Sequence, residues 1–264
     1  MDKTQKELAF IRDLYLTPDW TRRFAEIADK HLEFKDVENI LYINAGTGDH
    51  CFAIRERTDE STAIFAACEN EDVLSIARDK AIAVRSDVDF SALRFEDDSF
   101  DAVIADGSLV LPGNIERFLA DAVRVARSGA RVTIFLPTAG SFGEVFSLLW
   151  EVLFTQDLGD HGHDAETMIA ELVSVTDLKS TAEKIGLTNV KTETANEIFE
   201  FENGAAFISS PLVADFLFPH WLETLGEKEK EQVTEKLAQL IDDEDGTLTF
   251  RFLVKATVIT GKKV

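Results

Sequence analysis

Residues Asn39 to Asp49 read NILYINAGTGD, and the fold turns on how this stretch is read. Ile40, Leu41, Tyr42 and Ile43 form an apolar run that breaks into Asn44-Ala45-Gly46-Thr47-Gly48. An apolar run with β-branched members ending in small residues predicts a buried strand that enters a glycine loop and opens a helix. Gly46 and Gly48 lack Cβ atoms, so a ligand can lie against their backbone while amides at the helix start point at it. A plain tight corner has the same appearance. The neighbouring strand ends decide between the two.

From Asn39 to Leu136 strand-like and helix-like segments alternate. Periodicity predicts strands at 39–44, 62–68, 81–86, 101–106 and 130–136, and helices over 48–57, 71–79 and 114–127. Strands separated by helices pair in parallel through right-handed crossovers, which gives a doubly wound α/β sheet covered on both faces. Ligands of such sheets sit beyond the carboxyl ends of the strands. Upstream, Leu8, Ile11, Leu14 and Tyr15 recur at helical spacing, and Pro18 is placed to start a second helix carrying Trp20, Phe24, Ile27 and Leu32. Residues 1–36 therefore read as a helical cap on a core at 37–136.

Downstream, 137–176 holds an apolar helix, a polar loop (QDLGDHGHDAE) and a second helix. A helix from Asp177 to Ile185 ends at Gly186, a suitable helix-terminating residue. A strand, VKTETANEIFEF, precedes two helices within 205–241, an acidic turn DDEDG, and a last strand at 248–260. The expected organisation is one domain, 1–264, with helical additions at 137–176 and 205–241.

With 264 residues, 45% of them hydrophobic, the chain is long enough for a sizeable core. Its net charge of −22 repels phosphate backbones and anionic membranes, so neither nucleic acid nor a membrane surface is expected as a partner. Cys51 and Cys68 form no CxxC pair, no apolar run approaches membrane-spanning length, and MDKTQKELAF lacks the apolar region of a signal peptide. These features predict a cytoplasmic protein. His161-Gly162-His163-Asp164 reads as a solvated loop rather than a metal site. Trp150, Phe154 and Trp221 are aromatics for packing or for an acceptor pocket.

Four strand-end features occur in order: the glycine loop; Cys68-Glu69 after FAA; Asp87-Val88-Asp89-Phe90 before LRFEDDSFD; and Asp106-Gly107-Ser108 after VIA. Each alone is ordinary, because acidic residues at strand ends are commonly solvated or cap helices. Together the sequence resembles the class I S-adenosylmethionine-dependent methyltransferases of the type 11 group. Leu41 to Gly48 (LYINAGTG) is similar to the family's LDLGCGTG, Leu93 to Asp106 to its LPFPDNSFDLVVxN, and Ala126 to Ile134 to its LRPGGRLVI.

The resemblance implies a Rossmann-like sheet of seven strands, mostly parallel with an antiparallel final strand, and S-adenosyl-L-methionine as cofactor. It implies a glycine loop (Asn44, Ala45, Gly46, Gly48) facing the methionine and ribose, an acid at Glu69 for the ribose hydroxyls, and Asp89 with Phe90 beside adenine. Three departures stand out: Tyr42 replaces the family's acid in the first motif, Asn44 replaces its first glycine, and strict spacing places Cys68 at the ribose position, so Glu69 serves only with a one-residue slip. Asp106 is then the topologically nearest carboxylate for the methionine amino group. Methyl transfer requires no nucleophile from the enzyme, so no catalytic side chain is assigned. The expected function is methyl transfer to a small-molecule or carrier-bound acceptor. The alternatives are a non-catalytic methyltransferase-like binding protein and a nicotinamide-dependent oxidoreductase. Cys51 stands where the dinucleotide fingerprint of the latter takes Gly or Ala.

Overall fold

The computed structural model describes residues 3–91, 95–156, 158–161, 167, 170–245 and 249–264. Seven strands form one sheet in the order β3-β2-β1-β4-β5-β7-β6. They are β1 (Asn39–Ile43), β2 (Ala63–Ala67), β3 (Asp89–Ser91), β4 (Phe100–Asp106), β5 (Ala126–Pro137), β6 (Leu187–Phe201) and β7 (Phe250–Lys263). β1 pairs in parallel with β2 (Ile43↔Ala67) and with β4 (Ile43↔Ala105). The parallel pairs β2–β3 and β4–β5 extend the sheet on either side, and β7 is antiparallel. Strand order reverses across β1 and β4, so the switch point lies between their carboxyl ends. Ile40, Leu41, Tyr42, Val103, Ile104 and Ala105 are buried, as strands covered on both faces must be.

Two compact units divide the chain. The first comprises Met1–Leu136, Val175–Ala195 and Ala256–Val264. It contains α1 (Gln5–Ile11), a π-helical stretch (Arg12–Thr21), α2 (Arg22–Asp29), α3 (Asp49–Arg55), α4 (Glu71–Val84), α5 (Ile115–Val125) and α7 (Val175–Lys184), with α6 (Gly143–Thr155) in the other unit. Thr4 and Glu7 form a capping box at the start of α1.

This unit departs from the sequence expectations at three places. Residues 81–86 are not a strand, because α4 runs on to Val84 and β3 lies at 89–91. The misleading Ile82 and Val84 lie on the helix's open side, 76% and 60% exposed. Arg85 ends the helix in the left-handed conformation (φ 57°), its N–H donating to the Ala81 and Ile82 carbonyls. Pro18 does not start a helix; it lies inside the π stretch, whose wider ladder accommodates the missing N–H. Leu14 and Tyr15 are exposed, while the buried stripe of the N-terminal helix runs Ala9, Arg12, Leu16, Trp20, Phe24.

The second unit comprises Pro137–Ser174 and Asn196–Lys255. Its core is aromatic: Trp221 packs edge-on against Phe142 and Phe146 with ring centroids 5.2 and 5.0 Å apart. Trp150 and Phe154 instead stack on each other on the exposed side of α6. Short α8 (Gly204–Ser209) lies against α10 (Glu227–Asp245), with α9 (Phe218–Trp221) between them in sequence. The Gly204 N–H donates to Asp242 Oδ1 at 2.6 Å, and a Cβ at Gly204 would collide with the Ala238 carbonyl. The acidic stretch expected as a turn is the last turn of α10, which reaches Asp245. His161 Nδ1 lies 3.3 Å from Thr224 Oγ1, whereas Gly162, His163 and Asp164 lie outside the described residues. Among the described residues, no helix is long and apolar enough to cross a membrane.

Candidate functional site

The glycine loop is built from both neighbouring strands. Ala45 N–H donates to the Ala67 carbonyl at 2.9 Å, holding the loop to the end of β2. Asn44 Nδ2 donates to the Asp106 carbonyl at 3.1 Å, holding it to the end of β4. Asn44 has φ 57°, a left-handed conformation that asparagine tolerates and that glycine supplies in the family motif. Gly48 has φ 95°, and a Cβ there would lie 2.7 Å from Phe90 Cζ. Phe90 in turn meets the ring of Phe52 edge-on at 5.6 Å. Side chains alternate along a strand, so with Phe90 on the loop side, Asp89 faces away, and it is exposed. The structure brings Phe90 to the loop and does not bring Asp89.

After β2, Cys68 and Glu69 divide the space. Cys68 is buried under the loop, its Sγ 3.4 Å from the Gly46 carbonyl. Burial pushes its thiol up to about 12, with the Glu69 charge adding to the effect. Glu69, next along, is the partly exposed carboxylate at this strand end. Asp106 is buried at the end of β4, where its Oδ1 accepts the Ser108 N–H at 2.8 Å. Burial pushes this carboxyl up to about 6, against the pull of the Ser108 hydrogen bonding and of Arg12.

Tyr42 does not look into the site. Its hydroxyl lies 2.9 Å from His50 Nδ1, and His50 Nε2 lies 3.2 Å from Asp29 Oδ1. A carboxylate can only accept, so Nε2 carries a proton, and in the neutral ring the Tyr42 hydroxyl donates to Nδ1. Arg57 completes the chain by pairing with Asp29. Burial makes the Asp29 charge costly, but His50 and Arg57 together hold its carboxyl below the ordinary value. The tyrosine in the acid's place thus belongs to a polar relay, buried at its Tyr42 end, that ties β1 to α3 and α2.

The residue that sequence reasoning missed is Arg12. It is 7% exposed, and its Nη2 donates to Glu69 Oε1 at 2.6 Å. The same guanidinium covers Gly46: a Cβ there would lie 3.2 Å from Nη2 and 3.4 Å from Nε. Burial lowers the proton affinity of Arg12, but Glu69 and then Asp106 outweigh it, and the net shift is upward. Two further contacts fasten this part of the chain down. Lys80 Nζ bridges Asp13 and Asp49, and Thr17 Oγ1 lies 3.3 Å from Thr47 Oγ1. A signal for Arg12 was present in the sequence, since it occupies a core position of the helical stripe between Ala9 and Leu16. Its partner, 57 residues away, was not legible.

A model of the ubiE/COQ5 methyltransferase family matches residues 17–163, more than half of the chain. The chain belongs to the ubiE/COQ5 methyltransferase family. It is a methyltransferase, and its cofactor is S-adenosylmethionine. Among curated proteins none matches it. Solved structures of similar fold include YcgJ from Bacillus subtilis, 14% identical with a TM-score of 0.58 over 92% of this chain and 98% of that one. A phosphoethanolamine N-methyltransferase of Haemonchus contortus is 12% identical with a TM-score of 0.57, covering 98% of this chain and 58% of its own. A geranyl diphosphate C-methyltransferase of Streptomyces coelicolor is 11% identical with a TM-score of 0.51, over 92% and 79%. At these identities the likeness is one of fold.

The side chains at this end of the methyltransferase's sheet suit the cofactor in kind. Glu69 can accept from a diol, Gly46 and Gly48 offer backbone without side chains, Phe90 is an aromatic edge, and Asp106 is an acceptor for an ammonium. The space against Gly46, and the Glu69 oxygen itself, are taken by Arg12.

Proposed function

We propose that this methyltransferase acts on a small-molecule acceptor, free or held on a carrier, in the cytoplasm. The observation that carries the proposal is that one guanidinium reaches Glu69 after β2 and the space over Gly46 after β1, while buried Asp106 at the end of β4 adds its charge to the same place. When bound, the cofactor supplies a methyl group on a sulfonium, open to in-line displacement. The chain's own part is to orient and to exclude water. Glu69 accepts hydrogen bonds from the ribose hydroxyls, Gly46 and Gly48 let the ligand lie on the backbone, and Phe90 packs beside adenine. Asn44 and Ala45 hold the loop between β2 and β4. Asp106 receives the methionine ammonium; a charge-assisted bond in a buried position is worth about 1.5–3 kcal/mol. Asp89, the exposed neighbour of Phe90, is left with at most a peripheral role.

A surface of net charge −22 is unsuited to nucleic acid, and this supports a small acceptor. Two proteins of similar fold carry small phosphorylated molecules in their structures, phosphomonomethylethanolamine in one and geranyl diphosphate in the other. Cys51 and Cys68 are free thiols, as a reducing compartment allows. The test is to incubate the enzyme with methyl-labelled S-adenosylmethionine and fractionated cell extract. Label should enter the small-molecule or carrier fraction with matching formation of S-adenosylhomocysteine. Label confined to nucleic acid would overturn the proposal.

A further inference from the structure

Arg12 has no part in the mechanism above, yet it is the most deeply placed cation at the site. Three features describe its state. It takes the Glu69 oxygen at 2.6 Å, and it lies against Gly46 with no gap for a ligand atom. Its Nε is buried without a hydrogen-bond partner. A buried ion pair closed by one hydrogen bond, with a donor left over, is weakly favoured over solvation, so it yields readily to a ligand that satisfies the carboxylate better.

The element carrying Arg12 is unevenly held. Between residues 5 and 16 only Ala9, Arg12 and Leu16 are buried, and Phe10, Leu14 and Tyr15 are exposed. Between 20 and 28, Trp20, Phe24, Ala25, Ile27 and Ala28 are buried, with Phe24 stacked on Phe135 at 6.4 Å. The segment is thus buried more deeply at its carboxyl half, while its amino half lies on α4 with fewer buried side chains and the Lys80–Asp13 pair. Arg12 itself begins the π-helical stretch, which carries Pro18 and runs to Thr21. Wide turns of this kind frequently mark functional sites, and rewinding one toward the α form rotates the residues ahead of it.

We propose that Arg12 is the resident occupant of the ribose position: it holds Glu69 in the free enzyme and is displaced, with the helix at residues 5–16, when the cofactor enters. The inference rests on Glu69 and Gly46 facing the cofactor, as proposed above. Glu69 exchanges a guanidinium for two hydroxyls, and the carboxylate stays hydrogen-bonded throughout. Arg12 moves to solvent, which removes the burial cost of its charge. Cofactor affinity is therefore set partly by how firmly Arg12 is seated.

The test is calorimetry of S-adenosylhomocysteine binding to wild type and to Arg12→Met, which keeps length and apolar bulk without the charge. Arg12→Met should bind at least tenfold more tightly, with circular dichroism showing an unchanged fold. A tenfold loss of affinity would mean that Arg12 holds the ligand rather than yielding to it, and would overturn the proposal. Equal affinity would overturn it too, while leaving the cofactor reading of Glu69 and Gly46 in place. Absence of binding to both proteins at millimolar ligand would overturn the gate and the site reading together. A second measurement needs no variant. In hydrogen exchange on wild type, amides of residues 5–16 should exchange faster in saturating S-adenosylhomocysteine, those of 22–29 unchanged. Slower exchange in 5–16 would contradict displacement.

Discussion

Tyr42 and Asp106 show how one position's chemistry depends on what faces it. Tyr42 replaces an acid of the family motif, but its hydroxyl is committed to His50, so the substitution changes the core rather than the ligand's surroundings. Tyr42→Phe removes that donor and leaves His50 Nδ1 buried without a partner. Urea unfolding should show a loss of about 1–3 kcal/mol, with cofactor affinity unchanged. Asp106 behaves differently. Its folded carboxyl sits at about 6, above the ordinary Asp value of 3.8, because burial disfavours the charge. A raised carboxyl favours the folded state below the unfolded value, and that contribution disappears as pH rises through the folded one. Asp106→Asn carries no such charge. Between about pH 4 and pH 6 its stability relative to wild type should climb, by roughly 1.4 kcal/mol for each tenfold fall in proton concentration. Above that range the advantage should stay level at a few kcal/mol. The same variant should bind S-adenosylmethionine and S-adenosylhomocysteine more weakly, by about one to two decades, since both carry the amino group. Calorimetry and denaturation at several pH values read the two effects separately.

Helix ends and helix contacts carry the next set of consequences. Arg85 ends α4 at φ 57°, where a side chain costs roughly 1–2 kcal/mol that glycine avoids. Glycine's greater freedom in the unfolded chain offsets part of this, so Arg85→Gly should stabilise by about 0.5–1 kcal/mol, read as a raised Tm. Gly204 is the opposite case. It begins α8 where a methyl group would meet the Ala238 backbone of α10. Gly204→Ala must push the two helices apart and should cost about 1–3 kcal/mol in thermal unfolding. An unchanged Tm would show that α8 gives way without loss.

Charge acts on the molecule as a whole. With 49 acidic residues against 27 basic ones, self-repulsion opposes the compact state at low ionic strength. The ion pairs at Lys80, Arg57 and Arg124 relieve it locally. Screening shortens the reach of the remainder from about 30 Å at 0.01 M salt to about 8 Å at 0.15 M. The Tm should therefore rise over that range, and a falling Tm would mean that attractive pairs outweigh the net repulsion.

The doubly wound sheet was legible because its evidence is local. Apolar runs, turn residues and crossover lengths each occupy a few adjacent residues, and handedness leaves few ways to assemble them. The glycine loop, Glu69 beside Cys68, and Asp106 were legible for the same reason: each terminates a strand. The left-handed backbone of Asn44 is one that asparagine tolerates, but its residue type alone does not require it. Periodicity failed at 81–86, where an apolar run lay on the open side of a helix, because hydrophobicity does not say which side will be covered. At Asp89 and Phe90 strand register decides which neighbour meets the loop, and the local pattern does not record it. Arg12 over Gly46, and Tyr42 bound to His50 and Asp29, were decided only by tertiary structure. A buried charge is placed by a partner distant in sequence, and no local pattern records where that partner will be.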